Sequence, residues 1–255
     1  MILLIARDTW YLTVRALRES LRQPALEIGN VFIPMFFFAV TVGAIGNVAG
    51  RAFGVTNYTA FQMPVAVLQA VAGASGMAGL GTVADIERGY FDKLMLTPAP
   101  RLSLVLGRLT ADGIRIMALT ILIVVVGLIF GTGMKSGPLG VVVLVLMGGV
   151  FGLAYSGLGM ALALKTGSAQ AAQLGFLIFF PLVFLSPAFA PKEFFSPWLE
   201  FLATINPVTY IIQGMRGLVL DGWDAGSLAA AFGSIAALGT LTLTLVMLAL
   251  RSRTA

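Results

Sequence analysis

The chain has 255 residues, of which 58% are hydrophobic and only 11% are charged. Because a soluble domain carries roughly 25% charged residues, this composition predicts a membrane protein. Cysteine and histidine are both absent, which excludes disulfides, thiol nucleophiles, zinc sites and histidine-based acid–base pairs. We therefore predict no catalytic residues and no metal site that would depend on cysteine or histidine. The 16 basic residues against 11 acidic ones are better explained by membrane orientation than by nucleic-acid binding.

The first 27 residues are predicted to form a helix lying in the membrane surface. On a helical wheel, Trp10 shares an apolar stripe with Val14, Leu17 and Leu21. A neighbouring face carries four arginines: Arg7, Arg15, Arg18 and Arg22. An apolar stripe beside a basic row is typical of an interfacial helix, which Pro24 would end. The simpler interpretation, a basic anchor before the first span, stays open.

Six uncharged stretches of 19 to 33 residues predict six transmembrane helices, because about 20 apolar residues cross a bilayer as a helix. The predicted spans are 28–48, 58–83, 109–130, 138–164, 168–189 and 228–250. Glycines in the second and fourth spans are interpreted as sites of close helix packing. Asp112 and Arg115, one turn apart in the third span, could form a pair. We favour the interpretation that they extend to the interface instead.

The distribution of basic residues predicts which side of the membrane each loop occupies. With an inner N-terminus, six crossings place twelve of the 16 basic residues inside and four outside. The four outer ones are Arg51, Lys135, Lys192 and Arg216. Inner loops are enriched in Lys and Arg, so both termini are predicted to be cytoplasmic, in a bacterial inner membrane.

The segment 84–108 between the second and third spans is the most charged part of the chain. Within nine residues it contains Asp85, Glu87, Arg88, Asp92 and Lys93. We expect this cluster to lie in water, where it would offer a soluble partner an extended surface. The alternative, an ordinary hydrophilic loop, would explain the charge equally well.

The segment 190–224 is predicted to be an extracytoplasmic re-entrant hairpin of two short helices. Five of the eleven prolines, from Pro181 to Pro207, fall within 27 residues. The charge-free run 201–215 is too short to span and is broken at Asn206 and Pro207. We assign Pro187, Pro191 and Trp198 to this hairpin region as well. The whole chain is then a single all-α polytopic domain, 1–255.

Four features together resemble the membrane subunits of ABC type-2 transporters, the permease family that includes the daunorubicin-resistance exporters. The first is the amphipathic N-terminal helix, and the second is ERGYFDKLMLTP, which begins at Glu87. The third is SGLGMALAL at the end of the fourth span, and the fourth is the series LSPAFAP, INPVTY and MRGL. Each motif is short, but their order and spacing follow the family over nearly the whole chain.

The resemblance implies a function and a set of site residues. It implies a permease subunit of an ATP-driven exporter for a hydrophobic or amphipathic substrate, such as a drug or lipid. A separate ATPase subunit would bind ATP and Mg, and two permease chains, identical or homologous, would enclose the path. The 84–93 segment would be the coupling helix that docks on the ATPase. Its residues are Asp85, Glu87, Arg88, Gly89, Tyr90, Asp92 and Lys93.

Other functions are weighed against this one. A membrane-embedded lipid or prenyl transferase would need clustered carboxylates for Mg²⁺ and diphosphate. Asp85, Glu87 and Asp92 could serve, but they alternate with basic residues and no second acidic cluster faces them. A membrane scaffold without transport is a third possibility. Export of glycans or ions within the same family stays open.

Overall fold

The structure, a computed structural model, describes residues 2–55 and 57–254, and those residues form ten α-helices and no β-strand. The helices are α1 (Ile2–Leu21), α2 (Pro24–Phe53), α3 (Tyr58–Glu87), α4 (Tyr90–Met95), α5 (Arg101–Ile129), α6 (Gly137–Thr166), α7 (Ala169–Phe184), α8 (Pro197–Ile205), α9 (Pro207–Leu220) and α10 (Ala225–Thr254). The predicted all-α class is confirmed. Met1 and Ala255, the end residues of the predicted domain, lie outside the described part.

Within the described residues, five helices are long and apolar enough to cross a membrane. They are α2, α3, α5, α6 and α10, each 29 or 30 residues long. The predicted fifth span corresponds to α7, which has only 16 residues. At 1.5 Å per residue it is about 24 Å long, shorter than the ~30 Å hydrocarbon core. The five long helices agree with five of the six predicted spans.

The helix α7 ends earlier than the sequence suggested because the chain turns at Pro187. A proline disfavours the helical conformation of the residue before it, here Ser186. The side-chain amide of Asn206 then donates hydrogen bonds to the carbonyl oxygens of Leu182 and Leu185, at 2.6 and 3.1 Å. These bonds satisfy carbonyls that the helix leaves unpaired at its C-terminus.

Helices α3 and α6 form the centre of the bundle, with α5, α7, α9 and α10 packed around them. The largest fully buried side chains include Phe151 and Tyr155 of α6 and Phe179 of α7. The Tyr155 and Phe179 rings meet edge to face with centroids 4.9 Å apart. The Tyr155 hydroxyl donates to the carbonyl of Gly175 at 3.1 Å, so its polar atom is satisfied inside the core.

Small residues allow α3, α6 and α7 to approach closely, as the glycine-rich sequences predicted. A Cβ added at Gly79 would lie 2.6 Å from the Cβ of Ala172 and 2.8 Å from the carbonyl oxygen of Gly159. The Ser75 hydroxyl accepts a hydrogen bond from the Gly159 backbone N–H at 3.2 Å. Larger side chains would separate these helices, so the packing interpretation is confirmed.

The two helices before α10, α8 and α9, meet at Asn206. Both lie within the predicted segment 190–224, and Pro207 is the first residue of α9. Asn206 caps α9, its side-chain oxygen accepting from the Val208 N–H at 3.0 Å. A single asparagine therefore fixes both the end of α7 and the start of α9.

Candidate functional site

The charged segment between α3 and α5 folds as two helices joined by a glycine turn. α3 ends at Glu87, Arg88 forms its C-cap, and α4 begins at Tyr90. Gly89 has a φ of 65°, a conformation that costs glycine little and other residues more. The chain thus reverses at this end of the bundle. We call residues 87–95 the charged turn.

Asp85 lies just before the charged turn, but its side chain is buried, with only 6% exposed. Arg15 of α1 donates to its two carboxylate oxygens at 2.6 and 3.3 Å. Arg108 of α5 donates to it at 2.8 Å. The expectation that the whole 84–93 cluster lies in water is therefore wrong for Asp85. A buried carboxylate is tolerated here because two arginines compensate its charge.

Glu19 of α1 lies at the centre of the same network. Its carboxylate is 3.4 Å from Arg88, 3.7 Å from Arg15 and 3.9 Å from Arg108. Burial alone would lower the pKa of Arg15, but the hydrogen bond and charge of Asp85 outweigh it and raise that pKa above its usual value. Arg15 therefore stays charged, and α1 is tied to α3, α5 and the charged turn.

A second network joins α1, α2 and α5. Arg115 donates to the Glu27 carboxylate at 3.0 Å and to the Ser20 hydroxyl at 3.2 Å, and it pairs with Asp112. The Asp112 side chain is 0% exposed. The interpretation that Asp112 and Arg115 extend to the interface is therefore wrong. Partners on α1 and α2, distant in sequence, make the inward orientation favourable.

The remaining charged members of the predicted coupling site lie at the protein surface. Glu87, Arg88, Asp92 and Lys93 are all exposed. Leu96, directly after α4, is 88% exposed. Tyr90 is half-buried, with the Arg15 guanidinium 3.8 Å above its ring. The charged turn therefore presents both signs of charge and is followed by the exposed Leu96, and the interior holds it through Tyr90 and Asp85.

Phe91 anchors α4 to the bundle, a role that the sequence reasoning missed. It is buried in a cluster contributed by α5, α6 and α10: Val105, Leu109, Met160, Leu164, Val246 and Leu250. The Arg253 guanidinium lies 5.9 Å from its ring. The sequence feature that could have indicated this role is an apolar aromatic residue inside an otherwise charged segment. Movement of α4 would therefore be transmitted to three long helices.

The predicted interface helix packs along α5 and leaves one side exposed. The Thr13 hydroxyl donates to the Gly107 carbonyl at 3.0 Å. Two residues of the predicted apolar stripe, Trp10 and Leu21, are 58% and 79% exposed, whereas Val14 and Leu17 are partly buried. Arg18 and Arg22 are exposed as well, whereas Arg15 turns inward to Asp85. Half of the apolar stripe is thus exposed, which leaves apolar side chains available to lipid as an interfacial helix requires.

The hairpin residues fall into two groups. Asn206 is buried, and it and Pro207 shape the junction of α8 and α9. Trp198 is 64% exposed on α8, and Pro191 precedes a short 3₁₀ turn. Pro187 contributes a carbonyl that accepts a hydrogen bond from Arg216 at 2.9 Å.

Arg216 of α9 is a structural residue that the sequence reasoning assigned only to the outer loop. Its guanidinium also donates to the carbonyls of Phe61 and Ala188, at 3.2 and 3.4 Å. It lies 3.4 Å from the centroid of the Phe61 ring. The sequence feature that could have indicated this role is that Arg216 is a single basic residue directly after a charge-free run. Arg216 therefore joins the hairpin to α3.

Comparison with known proteins identifies the family. Residues 7–220 match the family described as ABC-2 type transporter. The chain is 26% identical over 236 residues to the daunorubicin resistance ABC transporter permease protein DrrB1 of Streptomyces coeruleorubidus, covering 91% of this chain and 83% of that one. It is 23% identical over 221 residues to the probable doxorubicin resistance ABC transporter permease protein DrrC of Mycobacterium tuberculosis, covering 86% and 79%. The resemblance drawn from the motifs is confirmed, and this chain belongs to the ABC-2 type transporter family.

Proposed function

We propose that this chain is the membrane subunit of an ATP-driven exporter, and that a separate ATPase subunit docks on the charged turn. The observation that carries the proposal is an exposed surface of mixed charge that is attached to the interior by buried side chains. Glu87, Arg88, Asp92 and Lys93 are exposed, whereas Asp85 and Phe91 are fixed inside. Surfaces with both signs of charge suit specific, reversible association. ATP and Mg would be held by the partner.

The ion pairs and apolar anchors indicate how movement of the partner would reach the long helices. A displacement of α4 would act through Phe91 on the inner ends of α5, α6 and α10. It would act through Asp85 and Glu19 on α1 and α5. Rigid-body movement of packed helices is a common way to change access to a site.

The alternative function, a magnesium-dependent transferase, is disfavoured by the same contacts. Asp85 is held by two arginines and is therefore unavailable as a magnesium ligand.

A charge reversal tests the docking surface. In the double variant E87K/R88E, we expect the affinity for the ATPase partner to fall by roughly tenfold or more. Each of the two charges at the edge of the interface contributes up to ~1 kcal/mol to the binding free energy. Export should fall while the level of protein in the membrane is unchanged. Binding is measured by titrating the purified partner onto the reconstituted permease.

The matched control is K192E/E193K, which reverses two adjacent opposite charges on the connection before α8. That variant should bind and export as the wild type does. Full export and unchanged partner binding in E87K/R88E would remove the case for this docking surface.

The proposed topology has six crossings, with both termini in the cytoplasm of a bacterial inner membrane. α7 is then the sixth membrane helix, and its short length is made up by the irregular residues 185–191. The segment 190–224 stays on the outer side as a re-entrant hairpin. The distribution of twelve basic residues inside and four outside supports this orientation.

Single cysteines test this topology, since the native chain has none. Cysteines at Lys135 and Ser196, both exposed, should react with an impermeant thiol reagent added to intact cells. Cysteines at Thr97 and Ser252, also exposed, should react only after the membrane is opened. Labelling of the Ser252→Cys variant from outside would mean an odd number of crossings and would overturn the six-span topology.

An apolar cavity supports a hydrophobic or amphipathic substrate. It has a volume of about 270 Å³ and lies between α2, α3 and α7. Six of its twelve lining residues are phenylalanines, among them Phe37, Phe176 and Phe180, and Gln69 supplies an amide. Mostly apolar walls with few polar groups are typical of sites for lipophilic molecules, and they favour such a substrate over a glycan or an ion. The relatives named for daunorubicin and doxorubicin resistance support the same class.

A second permease chain, identical or homologous, completes the proposed transporter. The outward side of α2 is strongly apolar, with Phe32, Phe36 and Phe37 exposed. Only 17% of the residues in the most apolar stretch of α2 are buried within one chain. A surface of this kind must be covered by lipid or by another helix. A second copy facing α2 and α7 would also close the cavity.

A further inference from the structure

A basic cleft lies between the end of α1 and the charged turn, beside the ion-pair network. Its volume is about 450 Å³. The lining residues are Arg15, Arg18, Glu19, Arg22, Gln23 and Arg88. Four arginines against one glutamate give the lining a formal charge of +3. A cleft with this charge is complementary to an anion.

Only part of this positive charge is compensated by the protein itself. Arg15 is engaged by Asp85, and Arg88 lies 3.4 Å from Glu19. In the part of the chain that the structure describes, the side chains of Arg18 and Arg22 have no ion-pair partner. Both are exposed, one in the last turn of α1 and the other in the turn that follows it. The cleft therefore keeps two planar guanidinium groups for an outside ligand.

The apolar stripe on the same helix indicates which anion the cleft would hold. On a helical wheel Leu21 lies about 60° from Arg18, and Leu21 and Trp10 are both exposed. A ligand in the cleft would thus contact apolar side chains with one part and arginines with another. A phospholipid has this arrangement, with its acyl chains beside its phosphate, whereas an acidic protein surface would leave Leu21 and Trp10 without a match.

We propose that this cleft binds the headgroup of an anionic phospholipid. The phosphate would be held by Arg18 and Arg22, since guanidinium groups bind phosphate oxygens in a bidentate manner. Arg88 lies on the opposite wall. A lipid with a net negative headgroup would be preferred over phosphatidylcholine, because the trimethylammonium group would meet a surface of like charge. The lipid would contact both α1 and the charged turn.

The test measures lipid binding to the purified full-length chain in detergent, without ATP and without an ATPase partner. Native mass spectrometry counts the phosphatidylglycerol or phosphatidylcholine retained at increasing lipid concentration. We expect wild type to retain phosphatidylglycerol preferentially. Arg18 and Arg22 would each contact the phosphate, and one such basic contact with an anionic lipid contributes about fivefold in affinity. R18Q and R22Q should therefore each lose about fivefold and R18Q/R22Q roughly twentyfold.

Two further variants make the result specific. R7Q removes an arginine from the same helix outside the cleft, and it should retain lipid as the wild type does. R18K/R22K keeps the charge but loses the planar fork, and it should lie between wild type and R18Q/R22Q. Equal retention of phosphatidylglycerol by R18Q/R22Q and R7Q would overturn the proposal.

Two more outcomes would also overturn it, by identifying another ligand. Displacement of phosphatidylglycerol by inorganic phosphate or glycerol phosphate at equal concentration would show a site for free anions. Unchanged lipid retention in R18Q/R22Q, combined with weaker binding of the ATPase partner in lipid-free detergent, would assign the cleft to an acidic protein surface. Since the lipid measurement needs no partner, it can fail while the proposed docking surface stands, and the reverse also holds.

Discussion

The D85N variant should unfold at a distinctly lower temperature than the wild type, with a loss of roughly 3–5 kcal/mol. This is the range expected when one partner is removed from a buried ion pair. Asparagine would leave the Arg15 and Arg108 guanidinium groups without the carboxylate that now accepts bonds of 2.6 and 2.8 Å from them. Thermal unfolding of the purified protein in detergent measures the change.

The matched control is D92N, which makes the same chemical change seven residues later at an exposed site. It should change stability by less than about 0.5 kcal/mol, as most surface substitutions do. In a double-mutant cycle, the combination of D85N with R108Q should lose less than the sum of the single losses, because the two residues share one interaction. Equal unfolding temperatures for D85N and D92N would show that the ion pairs contribute nothing to stability.

The sequence predicted the long helices well because lipid imposes a simple requirement. A span must be apolar for about 20 residues, so uncharged stretches mark α2, α3, α5, α6 and α10. The two hairpin helices were also anticipated, since Pro197 and Pro207 define their starts. The length of α7 was overestimated because hydropathy continues past Phe184, although the backbone turns before Pro187.

The direction in which individual charges face was harder to predict. The charges between Asp85 and Lys93 were treated as one cluster in water. α3 continues to Glu87, however, and at 100° per residue Asp85 and Glu87 lie about 200° apart around it. When Glu87 faces outward, Asp85 must therefore face inward. Helical periodicity was enough to predict that Asp85 is buried.

The partners of the inward charges could not be derived from periodicity. Arg15 lies 70 residues from Asp85, and Glu27 lies 88 residues from Arg115. Such pairs depend on how helices pack against each other, which local sequence patterns do not specify. The same reason explains why Glu19 and Phe91 were missed as members of the site, although each is next to residues that were noticed.

Replacing Arg216 with methionine should detach the hairpin from α3 and lower stability by about 3 kcal/mol. The substitution leaves the carbonyls of Pro187 and Ala188 without their donor and removes the side-chain bond to Phe61, whose carbonyl lies within α3. Each unsatisfied buried polar group lowers the free energy of unfolding by about 1–3 kcal/mol. Part of this loss is offset because the substitution also removes a buried charge. R216K should be intermediate, because lysine keeps the charge but cannot donate in a planar fork to three separated carbonyls.

Two measurements separate detachment of the hairpin from a general loss of stability. Thermal unfolding gives the change in stability, with K192M as the control because Lys192 is a partly exposed cation in the same connection. A cysteine introduced at Ala188, which is fully buried, reports local opening. It should be unreactive toward a thiol reagent in the otherwise native chain and become reactive in R216M well below the unfolding temperature. Two results together would contradict the role of Arg216: a protected cysteine at that position in R216M, and an unfolding temperature equal to that of K192M. The hairpin would then be held by the packing of α8 and α9 and by the Asn206 cap alone.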